Sequence, residues 1–325
     1  MNFKIVGIGE VLWDLLPGGP QLGGAPANFA CHSQALGACA SVFARVGHDS
    51  LGRAILRKME EQGIANEAMQ VDKDAPTGTV TVQVSEHGIP AYTIHENVAW
   101  DRLEVTPAAL KAVRQADAIC FGSLAQRGGI SRASIQKLVA AAPAKAPRVF
   151  DINLRQNYYS REVIEQSLLL ANVLKLNDGE LRTVAELFGL NGSARRQIEL
   201  LARKFSLQLV ALTRGPGGSL LFKAGQWSDC PSVPMTVADT VGAGDAFTAA
   251  LVLGLLQEME LDEINALADE VARHVCACAG ATPPLPKEFA ERLGAAKTIY
   301  EKLHPEFDHH DIAACDNDGE GGERR

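Results

Sequence analysis

Five short runs of nearly continuous apolar residues constrain the fold of this chain more than any other feature. They lie at 5–8, 118–121, 149–152, 173–176 and 209–212. Runs this short, rich in Val, Ile and Leu and bounded by polar residues or glycine, read as strands buried on both faces, as in a parallel sheet. Between them the apolar spacing changes to a helical one over 27–36, 52–62, 107–115, 131–141, 161–170, 180–188 and 194–205. Strands alternating with helices need crossover connections, so the expected class is α/β.

One stretch departs from this rhythm. Residues 77–96 (TGTVTVQVSEHGIPAYTIHE) alternate polar and apolar side chains, carry β-branched residues and turn at His87-Gly88. Such alternation belongs to an antiparallel hairpin with one solvated face. It reads as an insertion outside the main sheet, and the VLWDLLPGGPQLGG segment after Glu10 is expected to add short strands to it. From about Asp308 the periodicity ends, and the tail 308–325 is expected to be disordered.

Composition excludes several classes of function. With 325 residues, 46% apolar and 22% charged, the chain suits a soluble globular protein with one large domain, or a domain bearing an insertion. A net charge of −8 and no basic cluster argue against nucleic acid as a partner. The seven cysteines form no CxxC pair and read as reduced, mostly buried thiols. The N-terminus lacks the charged and apolar regions of a secretory signal. The longest apolar stretch, 246–256, falls short of the ~20 residues a bilayer requires. A cytoplasmic protein without a membrane partner is expected.

In a parallel sheet, ligands sit beyond the carboxyl ends of the strands. Polar groups follow each apolar run here: Glu10 and Asp14 after the first, Gly122-Ser123 after the second, then Asp151, Asn153 and Arg155, then Asn177 and Glu180, then Thr213 and Gly215. The sharpest element is Asp239-Thr240-Val241-Gly242-Ala243-Gly244-Asp245, which leads into an apolar helix. Its glycines allow a tight turn whose N–H groups, with the helix dipole, make an anion site suited to a phosphoryl group. Asp245 in the first turn is either an ordinary N-terminal helix charge or a base for a substrate hydroxyl. No GxxxxGK[ST] motif is present. Gly7-Ile8-Gly9 lacks the third glycine of a dinucleotide fingerprint, since position 12 is Leu.

Two spaced motifs resemble those of the PfkB (ribokinase-like) carbohydrate kinases. They are Gly23-Gly24-Ala25-Pro26-Ala27-Asn28, continuing to Gly47-His48-Asp49 and Gly52, and the DTVGAGDAF segment about 215 residues later. The resemblance spans roughly 3–305. It implies a three-layer α/β/α domain over 1–307 with a mostly parallel central sheet and a small antiparallel β lid formed from about 11–23 and 74–100. It implies an ATP-dependent sugar kinase with Asp245 as base and the backbone of Gly242, Ala243 and Gly244 as anion hole. Asp14, Gly24 and Asn28 match the sugar-binding positions. Thr213, Gly215 and Gly218, with Ala279 and Gly280 of the late 276–281 segment, match the nucleotide-binding ones. Asn177 and Glu180 match an Asn-x-x-Glu segment tied to Mg²⁺, through water, and Asp239 is compatible with the K⁺ that several members require. A homodimer through the lids is the family's pattern.

Asp151-Ile152-Asn153-Leu154-Arg155 and Glu96-Asn97-Val98-Ala99-Trp100-Asp101 resemble fructokinase segments, which points to fructose as acceptor. Arg155 either contacts substrate or pairs structurally with Asp151, and Trp100 reads as core. Ribose, 2-keto-3-deoxygluconate or a nucleoside as acceptor stay open alternatives, as does a non-catalytic nucleotide- or sugar-binding regulator.

Overall fold

The structure, a computed structural model, describes residues 3–16, 18–84 and 90–294. The chain starts with β1 (Lys4–Ile8), β2 (Leu12–Leu16), β3 (Gly19–Gly23), α1 (Ala25–Ala35), β4 (Cys39–Phe43), β5 (Arg45–Gly47), α2 (Ser50–Glu61) and β6 (Gln70–Asp72). β7 (Gly78–Val84), β8 (Pro90–Ile94), α3 (Pro107–Arg114), β9 (Ala118–Phe121), α4 (Gly129–Ala141), β10 (Arg148–Asp151), α5 (Arg161–Leu170) and β11 (Val173–Asn177) follow. The last part holds α6 (Asp178–Phe188), α7 (Ala194–Phe205), β12 (Leu209–Thr213), β13 (Ser219–Lys223), β14 (Gln226–Cys230), α8 (Ala243–Leu256) and α9 (Leu261–Cys276).

Eight strands make the main sheet in the order β14-β13-β12-β11-β10-β9-β1-β4. Six run parallel, from β12 to β4, and the β13–β14 hairpin closes one edge antiparallel. Both faces are covered, as the apolar runs require. Along β9, Ile119 and Phe121 pack with Val113, Leu138 and Leu168 on one face. Ala118 and Cys120 pack with Phe29, Phe247 and Leu251 on the other. Helices α3–α7 thus form one outer layer and α1, α8 and α9 the other, which makes the expected three layers.

The second sheet has the order β3-β2-β7-β8 and comes from the segments expected to build it. Its outer pairs are antiparallel, while the central pair, β2 with β7, runs parallel. β2 leaves directly from the end of β1 and β3 leads directly into α1, so this sheet stands at the carboxyl edge of the main one. The turn at His87-Gly88 and the tail 308–325 lie outside the described residues.

Several elements carried no readable signal. The sequence reading has no counterpart for β4, for the β5–β6 pair, for the β13–β14 hairpin or for α9. The thiols also differ from expectation: Cys31 and Cys120 are buried, Cys39 is exposed, and Cys230, Cys276 and Cys278 are half-buried. No helix among the described residues is long and apolar enough to cross a membrane.

Gly7 sets how closely α1 approaches the sheet, because a Cβ there would lie 2.2 Å from the Pro26 carbonyl oxygen. Backbone cannot yield as a side-chain tip can. Gly7→Ala is therefore expected to lower stability by about 1–3 kcal/mol, the usual cost of overpacking. A denaturant melt checks this, and an unchanged midpoint would show that α1 is not held at that distance.

Candidate active site

α8 begins at the carboxyl edge with no side chain capping its N-terminus. Its N-cap, Gly242, has φ 79°, and a Cβ there would sit 2.0 Å from the Ala281 carbonyl oxygen. Only glycine meets both conditions. The turn is held from outside: Asp239 accepts from the Val241 amide at 3.0 Å and from the Gly280 amide at 3.2 Å. The Ala238 and Asp239 amides donate to the Cys276 carbonyl at the end of α9. His32 of α1 meets the Ala281 carbonyl at 3.0 Å, and burial pushes its pKa down to about 4, so the ring stays neutral. At this end the Ala243 amide makes only a long 3.4 Å bond to the Thr240 carbonyl and no side chain caps the helix, a condition under which a helix N-terminus attracts an anion.

Asp245 lies in the first turn of α8. Asn28 of α1 donates through Nδ2 to Asp245 Oδ2 at 2.9 Å, across 217 residues of sequence. The two motifs are thus brought into contact by one hydrogen bond. Burial pushes the Asp245 pKa up to about 7, and Asp151 pushes the same way. Lys175, the Asn28 hydrogen bond and Arg155 oppose it. Asn28 is buried, and its own Oδ1 has no hydrogen-bond partner among the described residues.

Asp14 stands on β2, opposite Gln21 of β3 and Val80 of β7, with its pKa pushed up to about 6 by burial and pulled back by Arg155. Gly24, at φ 110°, is the N-cap of α1 and lies against the backbone of Glu10. The buried Glu10 carboxyl accepts from the Ala25 amide, and its Oε2 is also without a partner. Unpartnered buried polar atoms recur after β9, at Ser123 Oγ and Arg127 Nη1. Among the described residues these atoms occur on the segments that end β1 and β9 and start α1, the edge at which α8 opens.

Arg155 is exposed and its Nη1 donates to the Leu154 carbonyl at 3.1 Å. The structural pairing with Asp151 does not occur. Asp151 is taken by Lys175 at 3.1 Å, a partner built into the neighbouring strand, while Arg155 lies beyond the strand end and its charge bears on Glu10, Asp14 and Asp245. Trp100 is fully buried, as its core reading requires, with the Arg127 guanidinium 3.9 Å from its ring.

Asn177 and Glu180 form a capping box at the start of α6. Glu180 Oε2 accepts from the Asn177 amide at 2.8 Å and Oε1 from the Leu154 amide at 3.0 Å. Burial raises the Glu180 pKa. With both oxygens already accepting amides, Glu180 suits a water-mediated hold on a phosphate-bound Mg²⁺ better than direct ligation. No group of three or more His, Cys, Asp or Glu side chains forms a metal cage among the described residues. Thr213 pairs in register with Asn177 at the next strand end. Beyond it, Gly215 faces open space, whereas a Cβ at Gly218 would meet the Cys230 carbonyl oxygen at 2.0 Å, so Gly218 is fixed by the hairpin itself. Ala279 is exposed and Gly280 half-buried beside Asp239.

Sequence reasoning missed Lys175, although a lysine inside a run read as buried on both faces was a visible signal. It also missed Arg127, Thr248 and the His32 link, none of which has a local pattern.

The sequence model of the family described as "pfkB family carbohydrate kinase" matches residues 20–288. The chain belongs to this family. It is an ATP-dependent sugar kinase. A fructokinase of Klebsiella pneumoniae is 31% identical over 284 residues, covering 84% of this chain and 91% of that enzyme. The solved structure of an uncharacterized sugar kinase from Pyrococcus horikoshii in complex with ATP superposes with a TM-score of 0.76 at 28% identity, over 89% of this chain and 99% of that one. A 2-dehydro-3-deoxygluconokinase from Thermotoga maritima shares the fold with a TM-score of 0.78 at 20% identity, over 90% and 99% of the two chains.

A carboxyl whose pKa is raised by folding weakens the folded state as pH climbs, because the unfolded chain ionises more readily. For Asp245 the penalty is absent below the unfolded value of 3.8, grows between about 4 and 7, and is complete above the folded value of about 7. The Tm of Asp245→Asn should therefore exceed that of the parent kinase at pH 8 and approach it near pH 4. A difference that stays constant between those pH values would show that the carboxyl is not desolvated.

Proposed function

We propose that the kinase transfers the γ-phosphoryl group of ATP to a hydroxyl of fructose, with Asp245 as general base. The observation that carries this reading is the Asn28–Asp245 hydrogen bond. It holds a carboxylate with a pKa near neutrality at the mouth of an uncapped helix N-terminus, beside buried oxygens that lack partners. Fructose as acceptor is supported by the fructokinase relatives, among them that of Klebsiella pneumoniae and one of Escherichia coli at 29% identity.

In this reading the sugar lies between α1 and the second sheet. Asp14 and Asn28 grip neighbouring hydroxyls, Gly24 gives the ring room at the start of α1, and Arg155 closes the outer side. Asp245 takes the proton of the reacting hydroxyl as that oxygen attacks the γ-phosphorus in line. The bond from phosphorus to the β,γ-bridging oxygen breaks and ADP carries away the electron pair. The amides of Gly242, Ala243 and Gly244 take up charge on the phosphoryl oxygens. A pKa near 7 suits a base working at neutral pH.

Thr213, Gly215 and the Ala279-Gly280 segment line the nucleotide's side, with Gly218 shaping the turn. Mg²⁺, when bound, neutralises phosphate charge, and Asn177 and Glu180 would hold it through water. Asp239 is the candidate group near a K⁺ ion, with lone pairs left beyond the two amides it already accepts. The second sheet serves as a lid that excludes water, a competing acceptor. Its outer strands β3 and β8 offer edges for a second subunit's lid.

The test is ADP release from Mg·ATP with fructose, ribose, 2-keto-3-deoxygluconate, adenosine and fructose 6-phosphate in parallel. Fructose should give the highest kcat/KM, and Asp245→Asn should lower kcat by roughly 10²–10⁴-fold. A loss below about threefold in a folded variant would remove Asp245 from the role of base. A higher kcat/KM with another acceptor would replace fructose.

A further inference from the structure

The carboxylate of Asp245 is backed by a buried charged group that neither motif contains. Asp151 ends β10 and Lys175 lies on β11, and the two are partners in register. Their side chains are 5% and 8% exposed, and Lys175 Nζ donates to Asp151 Oδ1 at 3.1 Å. Strand alternation turns both toward the α8 face of the sheet, since Val149 and Val173 pack there with Phe247 and Leu251.

The other oxygen of Asp151 is occupied by α8 itself. Thr248 Oγ1 lies 2.9 Å from Asp151 Oδ2 and 2.9 Å from the Gly244 carbonyl, so its one proton serves two acceptors. Lys175 Nζ presses on the same turn from below: a Cβ on Gly244 would lie 2.8 Å from it. The two glycines of the turn therefore answer to different neighbours, Gly242 to the Ala281 carbonyl and Gly244 to this ammonium.

From this geometry we infer that Lys175, paired with Asp151 and tied to α8 through Thr248, is a positioning residue that seats the Gly244–Asp245 turn and sets the charge state of Asp245 for proton transfer. The inference rests on the reading of Asp245 as base. Lys175 Nζ, buried against the Asp151 carboxylate at 3.1 Å, is the cation of the pair. The groups that face Asp245 are few. Asp151 on β10 opposes its ionisation, while Lys175 on β11 and Arg155 after β10 favour it. Asn28 on α1 is neutral, and the thiols of Cys31 on α1 and Cys120 on β9 are both pushed up by burial and stay protonated. Removing the cation and removing the anion must therefore move Asp245 in opposite directions, whereas a pair that only fills space beneath α8 and does not bear on the Asp245 proton would leave it in place.

The experiment records kcat/KM for the preferred sugar against pH in the parent, Lys175→Met, Lys175→Arg, Asp151→Asn and Asp245→Asn proteins. Lys175→Met should move the acid limb up by about one pH unit, and Asp151→Asn should move it down by a similar amount. Lys175→Arg, which keeps the charge, should return the limb to near the parent's position. Limbs that stay in place, or that move the same way in both variants, overturn the positioning role. If Lys175→Met does not fold, the direction of the Asp151→Asn limb decides alone, downward in support and unmoved or upward against. Asp245→Asn separates the two readings. Parent-like turnover there overturns the base assignment, whereas its collapse beside unmoved limbs overturns only the role of Lys175.

Discussion

Asn28 and Asp245 meet across 2.9 Å only because α1 and α8 approach closely, and the rest of the carboxyl edge depends on that approach. The residues that permit it are small. Ala27 and Ala30 on α1 and Ala243, Ala246, Ala249 and Ala250 on α8 are all buried. Gly7 beneath Pro26 lets α1 settle onto the sheet. α8 is buried without a break from Ala246 to Gly254, so it must be covered on every side, by the sheet below and by α1 and α9 beside it. Apart from Thr248, which is satisfied by Asp151 and the Gly244 carbonyl, its polar side chains lie at its ends. Its N-terminus emerges where the parallel strands end, and the Asp239 and Ala281 contacts keep that opening free of a capping side chain.

That arrangement carries a thermodynamic cost in charge. Asp245 is held where ionisation is disfavoured, its neighbour Asp151 is a buried carboxyl group as well, and the buried Glu180 bears on the same lysine. One buried ammonium, on Lys175, stands among them. An ion pair of this kind gains little net stability, because desolvation of both charges offsets their attraction. Its position between two strand ends and the first turn of α8 is better explained by what it does to the carboxyl in that turn. Strongly perturbed groups gathered in one place are common at functional sites.

How much of this was legible depended on whether a residue announced its neighbours locally. The strands β1, β9, β10, β11 and β12 were readable because burial on both faces leaves an unbroken apolar run. The Gly-Ala-Gly-Asp turn was readable because glycines just before an apolar run mark a tight turn at a helix start. β13 and β14 were not, since an edge hairpin such as Ser219–Lys223 mixes polar and apolar residues without clean alternation. The parallel pairing of β2 with β7 joins strands more than fifty residues apart, and nothing near either strand encodes it. Arg155 shows the limit most sharply. Its spacing from Asp151 allowed an ion pair, but the carboxylate already had a partner in Lys175, supplied by a strand that chain order places later.

The second sheet is attached to the main body at the carboxyl ends of β1 and β9. Arg127, just after β9, donates to Asp101 through Nε and Nη2 at 2.7 and 2.8 Å and to the His95 carbonyl at 2.6 Å. Its guanidinium also lies 3.9 Å from the Trp100 ring and 4.8 Å from that of Tyr158, whose hydroxyl donates to Glu96. A planar cation between two rings can be neither rotated nor withdrawn without losing all of these contacts together. The chain leaving β8 is thus tied to the carboxyl end of β9 by one side chain, and the chain entering β2 by the short step through Glu10. Both ties belong to residues with an unpartnered buried atom, Arg127 Nη1 and Glu10 Oε2. The placement of the second sheet is therefore fixed at the carboxyl ends of β1 and β9, the edge at which α8 also opens.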